Sequence, residues 1–298
     1  MTEPSTNNTD RQHWGDLADL VRLLDVRPTS QGIYTAPPHL NAPRNVVEGS
    51  QILAQAIVAA SKAAPDKRAI SAYAMFSRVA RFHLPLNFHT SILQSGRTFT
   101  SVSVKAEQEG KLRCPALVLM DVNAPTLISH QVQMPDVSGP EKCPRYDFGM
   151  TGRDVRFVNG DYAPNEDRVG PPVLHCWMRC RDKPDTRLLH QALLTQCVGH
   201  MTIGASMLPH PGVKEGDAHV SLSTGVMSIA INYHNDADVS DWVLYSNPSI
   251  FAGRGLAQGV GTVFSHGGVL LASYTVTAML RSFNASVNAT GIPANQLM

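Results

Sequence analysis

Two side chains capable of acid–base chemistry lie in or beside long apolar segments. His200 lies within LLHQALLTQCVGHMTIGASM, and Glu48 directly precedes GSQILAQAIVAASKAA. A neutral imidazole is the commonest general base near neutral pH, and a carboxylate can move a proton or favour the positive end of a helix. A structural histidine and a carboxylate that only favours the helix dipole are the alternatives. The sequence therefore offers two candidates for proton transfer.

Signals for a covalent nucleophile or a metal are weak. The HGG at 266–268 could suggest an oxyanion loop, but the chain has no G-x-S-x-G turn, so a hairpin turn is the preferred interpretation. Among five cysteines the only close pair, Cys176 and Cys180, lacks partners at zinc-site spacing. Cys197 is interpreted as a small core residue. We expect reduced thiols, no metal and no cofactor.

Composition narrows the classes of protein. The 298 residues are 43% hydrophobic and 16% charged, and 25 basic against 24 acidic residues give a net charge of +1. This balance supplies no field for a nucleic-acid backbone. No apolar stretch approaches the roughly 18 residues of a membrane span, and the first residues, MTEPSTNNTDRQHW, lack the features of a signal peptide. We expect a soluble cytoplasmic protein without membrane insertion.

The first half reads as helix followed by strands. Residues 1–12 are polar and predicted to be disordered, and apolar spacing predicts a short helix over 16–24. The apolar segment 49–64, whose only charged residue is Lys62, predicts a buried helix, with Ser50 as a possible N-cap. About four antiparallel strands are expected after it, up to residue 125, including a hairpin that turns at Glu109 and Gly110.

The second half repeats that order. Residues 135–172 are rich in Pro, Asp, Gly and Asn, which is typical of a connection. A strand, a long apolar helix over 188–207 and an antiparallel meander follow, and the last hairpin turns at 267–268. The repeat predicts a duplicated α+β unit, each half a long helix wrapped by a curved antiparallel sheet. The polar tail after Phe283 is expected to fray.

Six stretches together resemble the acyl-CoA thioesterase II family. They are GSQILAQAI, SGRTFTSVSVKAEQEGK, SHQVQMP, LLHQALL, DWVLY and GRGLAQGVGTVFSHGGVLLASYTVTAMLR, in this order. The resemblance implies an α+β double hotdog fold of two fused units. It places an N-terminal unit at 14–135, a linker at 136–172, a C-terminal unit at 173–283 and a flexible tail at 284–298.

The family's catalytic groups are replaced in this chain. The resemblance implies hydrolysis of fatty acyl-CoA by a water that an Asp, a Thr and a Gln hold. Flanking motifs place these three positions at Gly199, Val226 and Val276, whose side chains form no hydrogen bonds. An apolar pocket does not hold an ordered water. We therefore assign these three residues to substrate binding, and His200 and Glu48 become the candidates for catalysis.

Further polar residues follow Val226 on the same predicted strand. Strict alternation would place Val226, Ser228 and Asn232 on one face, where they would line the remodelled pocket. A structural role on the sheet explains Ser228 and Asn232 equally well. Thr224 and Thr277 could replace the lost hydroxyl and amide only if the strand register slips.

Three functions remain open at this level. Hydrolysis of an acyl thioester, linked to CoA or to a carrier protein, leads. A tailoring enzyme that dehydrates, isomerises or cyclises a secondary-metabolite intermediate is the first alternative. A non-catalytic acyl-ligand binding protein is the second. The resemblance also implies a homo-oligomer, whose contacts would cover open sheet edges.

Overall fold

The computed structural model describes residues 15–39 and 45–283. The predictions of a disordered start at 1–12 and of a flexible tail at 284–298 fall outside these ranges. Within the described residues, no helix is both long enough and apolar enough to cross a bilayer.

The N-terminal unit begins with a short amphipathic helix. Asp16 caps it through a hydrogen bond from the Asp19 amide, as expected for a helix over this segment. Two short strands, a long helix and four longer strands follow. The elements are α1 (Leu17–Leu24), β1 (Arg27–Ser30), β2 (Ile33–Ala36), α2 (Gly49–Ala63), β3 (Arg68–Met75), β4 (Leu86–Ser95), β5 (Phe99–Gln108) and β6 (Lys111–Asp121).

The C-terminal unit has the same order of elements. Its elements are β7 (Arg145–Tyr146), β8 (Arg153–Phe157), β9 (Val173–Cys180), α3 (Arg187–Gln196), α4 (His200–Met207), β10 (Leu222–Tyr233), β11 (Val243–Gly253), β12 (Leu256–Ser265) and β13 (Leu270–Ser282). Single turns of 3-10 helix lie at Pro140–Lys142, Val158–Gly160 and Glu215–Asp217.

All the strands join one antiparallel sheet. Its order is β1-β2-β4-β5-β6-β3-β10-β13-β12-β11-β9-β8-β7. Reading outward from the central β3–β10 pair, each of the six strands of the N-terminal unit has its counterpart in the C-terminal unit, which adds β7 at its outer edge. The duplication expected from the sequence is therefore present, and the two units are fused edge to edge.

Helix α2 is enclosed by the sheet of its own unit. Every side chain from Ser50 to Ser61 is buried, which explains why this segment contains almost no charge. Its N-cap is Glu48, so the prediction that Ser50 caps the helix is wrong. The Ser50 hydroxyl instead bonds a carbonyl of the second unit, as described below.

Turn chemistry fixes the hairpins. Glu109 and Gly110 both have positive φ, at 55° and 68°, which is the conformation of a tight two-residue hairpin turn. The β12–β13 hairpin turns at 266–268, where Gly268 has a φ of 84°. Both predicted hairpins are confirmed.

The segment between the units is more ordered than its composition suggested. Residues 136–172 contain β7 and β8, and β8 pairs with β9 as a further strand of the sheet. Strands β1 and β2 are also absent from the sequence prediction. These strands have only two to five residues, too few to show a period.

Candidate active site

The central helix of the C-terminal unit is broken next to His200. Helix α3 ends at Gln196, and α4 begins at His200. Between them Gly199 adopts a φ of 89°, a left-handed conformation that favours glycine. The prediction of one continuous helix over 188–207 is therefore wrong at 197–199. As a result, His200 occupies the first position of a new helix.

A buried arginine ends α3. One guanidinium nitrogen of Arg153, on β8, lies 2.9 Å from both the Leu193 carbonyl and Gln196 Oε1. Carbonyls in the last turn of a helix lack an intrahelical donor and carry the negative end of its dipole. Arg153 therefore supplies a cation and two hydrogen bonds where α3 stops.

Two hydroxyls satisfy the other carbonyls at this break. Tyr245 donates to the Leu194 carbonyl at 3.0 Å, and Ser50 donates to the Gln196 carbonyl at 2.8 Å. Ser50 belongs to the first turn of α2. The start of the N-terminal helix is thereby tied to the break in the C-terminal helix, at the junction of the two units.

Gly199, the position predicted for the family's carboxylate, lies inside an apolar contact. A Cβ on Gly199 would lie 3.3 Å from Ile229 Cδ1 and 3.6 Å from Val276 Cγ2. Ile229 and Val276 are fully buried, and Val226 is partly buried against the same core. Gly199 and Val276 therefore lie next to each other. Neither residue has a side chain that can donate or accept a hydrogen bond.

A bulge changes the faces of β10. The register with β13 shifts between Val226 and Ser228, which leaves Met227 as the extra residue. Val226 therefore shares the inner face with Ile229, while Ser228 and Asn232 lie on the outer face. Asn232 is exposed. The prediction that Val226, Ser228 and Asn232 share one face is wrong, because it assumed strict alternation.

The imidazole of His200 lies beside a carboxylate. Its side chain is 34% exposed, but Nε2 is buried and has no hydrogen-bond partner among the described residues. Glu215 Oε1 lies 4.0 Å from that nitrogen. The ring of Phe148 contacts the imidazole edge-on, with centroids 5.4 Å apart. His200 is thus held at the start of α4 with one nitrogen toward an acid.

Glu48 stands at the start of the facing helix. It is exposed, and its side chain makes no capping hydrogen bond to α2. The next residue is Gly49, where a Cβ would lie 2.9 Å from the Phe76 ring, so the aromatic ring packs on the backbone of the first turn. Glu48 is two residues from Ser50 and therefore lies near the junction.

Sequence reasoning missed Arg153, Glu215 and the tie made by Ser50. Arg153 alternates with Val155 and Phe157 in RDVRF, and all three are buried. An arginine on an otherwise apolar strand face was the signal in the sequence that could have indicated a buried cation. Glu215 lies in the sequence KEGD, which forms a 3-10 turn, and nothing in that sequence indicates that the carboxylate faces His200.

The thiols and possible metal ligands add no further candidates. All five cysteines are free, and burial raises the pKa of the Cys197 thiol. A buried thiol with a raised pKa is a poor nucleophile at neutral pH. Among the described residues, no group of three or more His, Cys, Asp or Glu side chains is arranged to hold a metal ion.

Comparisons with known proteins agree with this architecture. Residues 36–122 match the acyl-CoA thioesterase N-terminal domain family, and residues 129–280 match the acyl-CoA thioesterase C-terminal domain family. The chain is 26% identical to acyl-CoA thioesterase 2 of Haemophilus influenzae over 293 residues, covering 89% of this chain and 98% of that one.

Solved structures show the same fold. An acyl-CoA thioesterase II, TesB2, of Mycobacterium marinum superimposes with a TM-score of 0.74 at 24% identity, covering 88% of this chain and 98% of the other. A hot dog fold protein of Alicyclobacillus acidocaldarius gives a TM-score of 0.65 at 15% identity, covering 88% and 97%. The α+β double hotdog is confirmed, and the chain belongs to the acyl-CoA thioesterase family, whose enzymes hydrolyse thioesters.

Proposed function

We propose that this protein hydrolyses acyl-CoA at the junction of its two units, with His200 in place of the family's Asp, Thr and Gln. One observation carries the proposal. The imidazole begins α4 directly after Gly199, the position that the sequence resemblance assigns to the family's carboxylate. It is the nearest acid–base group in the chain sequence to that position.

In the proposed reaction, a water molecule attacks the thioester carbonyl carbon while the His200 imidazole takes one of its protons. The tetrahedral intermediate collapses, the carbon–sulfur bond breaks, and the imidazolium returns the proton to the departing thiolate. The products are the free acid and the CoA thiol. No covalent acyl-enzyme forms, in keeping with the buried, high-pKa thiol of Cys197.

Backbone groups at the junction can stabilise the negative charge on the carbonyl oxygen. The first N–H groups of α2 and α4 have no intrahelical acceptor, and each helix has the positive end of its dipole there. The hydrogen bond from Ser50 to Gln196 holds the start of α2 against the end of α3, four residues before α4 begins. Glu48, at the start of α2, is assigned a secondary role as the second acid–base group near the junction.

The test is thiol release from a chain-length panel of acyl-CoA substrates. His200→Gln, which keeps the approximate volume but removes the base, should lower kcat/KM by roughly 100-fold or more. Glu48→Gln should lower it by less than about tenfold. His210→Gln is the matched control, because His210 is exposed and follows the same helix.

Two results would contradict the proposal in different ways. Absence of thiol release from every substrate would exclude hydrolysis by this protein. Wild-type activity in His200→Gln would leave hydrolysis standing and remove His200 from it.

The contact between Gly199, Ile229 and Val276 favours a second candidate. With the family's water position filled by hydrocarbon, the pocket could protect a thioester from water while His200 or Glu48 moves a proton. Dehydration, isomerisation or cyclisation of a secondary-metabolite intermediate would then be the reaction. Mass spectrometry distinguishes the two, since hydrolysis adds a water and these reactions lose one or leave the mass unchanged.

The carrier and the assembly state remain predictions. Parallel assays with CoA thioesters and with carrier-protein thioesters would decide the first. Light scattering of the purified chain would decide whether it forms the expected homo-oligomer.

A further inference from the structure

One polar cluster lies on the face of α4 that carries His200. Glu215, in the 3-10 turn after α4, has one carboxylate oxygen 4.0 Å from His200 Nε2. The same oxygen accepts a hydrogen bond from the Tyr162 hydroxyl at 2.6 Å. The Glu215 side chain is 17% exposed, so water screens it little.

A glycine makes room for this carboxylate. Gly204 lies one helical turn after His200, on the same face of α4. A Cβ at residue 204 would lie 2.6 Å from Glu215 Oε2, closer than van der Waals contact allows. The backbone of α4 therefore leaves a space that the carboxylate fills, with Leu174 Cδ1 as the next neighbour at 3.2 Å.

Aromatic rings hold the other side of the cluster. Tyr162 stacks on Phe157 with centroids 4.4 Å apart and meets Tyr146 edge-on at 4.8 Å. Phe148 contacts both Tyr162 and His200. The ring that donates to Glu215 is consequently fixed by packing, so the position of the carboxylate is fixed as well.

We propose that Glu215, held by Tyr162 and by the space at Gly204, is a positioning residue for His200. It faces Nε2, so it favours the tautomer with the proton on Nε2 and leaves Nδ1 as the atom that accepts the water's proton. The carboxylate also stabilises the imidazolium that forms in the reaction. This inference rests on the proposed function of His200 and adds the residues that prepare it.

Other charged groups surround the cluster and must be considered in a pH experiment. Asp161, Glu166, Arg168 and Lys214 line the cleft next to Glu215. Arg168 pairs with Asp161 at 3.6 Å. Glu166 is therefore a suitable control, because it is a second carboxylate in the same cleft that has no part in the proposal.

Kinetics of four variants test the proposal. Glu215→Ala should lower kcat by about 10- to 100-fold with little change in KM, since it acts on the proton acceptor and not on substrate binding. Glu215→Gln can still accept hydrogen bonds but lacks the charge. It should retain more activity than Glu215→Ala and give a kcat/KM–pH profile that differs from the wild-type profile. Tyr162→Phe should give a smaller loss, and Glu166→Gln none.

Gly204→Ala separates positioning from stability. Alanine is about 1 kcal/mol more favourable than glycine inside a helix, so the substitution should not unfold the protein. Its methyl group would displace the Glu215 carboxylate, so kcat should fall by roughly tenfold or more while the unfolding midpoint is kept. A purely structural role for Glu215 predicts the opposite pattern, in which kcat is unchanged and the unfolding midpoint falls.

The outcomes distinguish this inference from the proposed function. If His200→Gln is inactive while Glu215→Gln and Gly204→Ala keep both the wild-type kcat and the wild-type pH profile, Glu215 does not position His200. If His200→Gln itself is fully active, the assignment of His200 fails and this inference fails with it. Should Glu215→Ala not fold, the nearly isosteric Glu215→Gln decides the question.

Discussion

The two units share their strand order but build their central helices differently. Helix α2 runs 15 residues without interruption, whereas its counterpart is divided into α3 and α4, of 10 and 8 residues. The continuous helix is a packing element with almost every side chain buried. The divided helix offers a new N-terminus, with His200 at its first position. The break therefore marks the unit to which the proposed function assigns the chemistry.

The outer face of the sheet also differs between the two units. In the C-terminal unit, Trp177 and Leu244 are buried beneath the segment before β7, and the Trp177 indole donates to the Ser138 carbonyl at 2.9 Å. In the N-terminal unit Leu117 and Tyr73 remain 53% and 42% exposed. The connecting segment, which lies between β6 and β7, thus stabilises the C-terminal unit, whose central helix is interrupted.

The largest expected change in the free energy of unfolding comes from placing an aspartate at Gly199, the position predicted for the family's carboxylate. Gly199→Asp would place a side chain at a φ of 89° and a charge against Ile229 and Val276. Left-handed backbone costs about 1–2 kcal/mol, and an unpaired buried charge costs several more. We expect a loss of roughly 4 kcal/mol or more in the free energy of unfolding, measured with urea, and no gain in hydrolysis.

The same substitution in the N-terminal unit is its control. Gly110 has a φ of 68° with no atom within 4 Å of an added Cβ. Gly110→Asp should therefore cost only the backbone strain. Equal losses for the two variants would contradict the view that the Gly199 surroundings are closed and apolar.

Truncating one leucine on each outer face tests the second contrast. Leu244→Ala removes a fully buried side chain from beneath the connecting segment and should cost about 3 kcal/mol. Leu117→Ala, on the exposed face, should change the free energy of unfolding by less than about 1 kcal/mol. Similar losses would show that the outer face of the N-terminal unit is covered in solution.

Arg153→Met tests what ends α3. The variant keeps much of the apolar volume but leaves the Leu193 carbonyl and Gln196 Oε1 without their donor, which should cost about 2 kcal/mol. Hydrolysis should fall too, because Gln196 connects the break to Ser50. Arg187→Met is the comparison, since its exposed ion pair with Asp236 at the start of α3 is worth less than about 1 kcal/mol. A larger effect at Arg187 would refute this account of the helix end.

The smallest expected effect is a pH dependence of the free energy of unfolding, to which the divided helix should contribute and α2 should not. Burial lowers the pKa of His190, on α3, whose Nδ1 accepts the Val239 amide at 3.1 Å. The unfolded chain, with a pKa near 6.5, then binds more protons than the native chain. The free energy of unfolding should fall as pH drops below about 6.5, and the loss should level off below the native pKa.

His190→Asn keeps an acceptor that does not titrate, so it should reduce that slope. The comparison is made from urea midpoints at pH 8 and pH 5.5 for both proteins. An unchanged slope would assign the acid sensitivity to other groups. Helix α2 contributes none, because none of its buried side chains is ionisable.

Regular features of the fold could be predicted because their signals are local. The apolar residues of α2 from Ser50 to Ser61 and the turn at Glu109 and Gly110 each contain their own physical reason. Irregular features could not. The bulge at Met227 and the break at Gly199 depend on partners far away in the chain, and the predictions of strict alternation and of a continuous helix failed at these two positions.

The candidate site shows the same division. By itself, the sequence determined that two similar helix-and-sheet units exist, and it placed His200 beside the lost carboxylate position. Only the tertiary structure decided that Arg153 and Ser50 end α3, and that Glu215 faces the imidazole 4.0 Å away. The physical reason is that periodicity and turn chemistry act between neighbours in the chain. Contacts such as the Ser50–Gln196 hydrogen bond, across 146 residues, and the approach of Glu215 to His200 exist only after the sheet has brought their groups together.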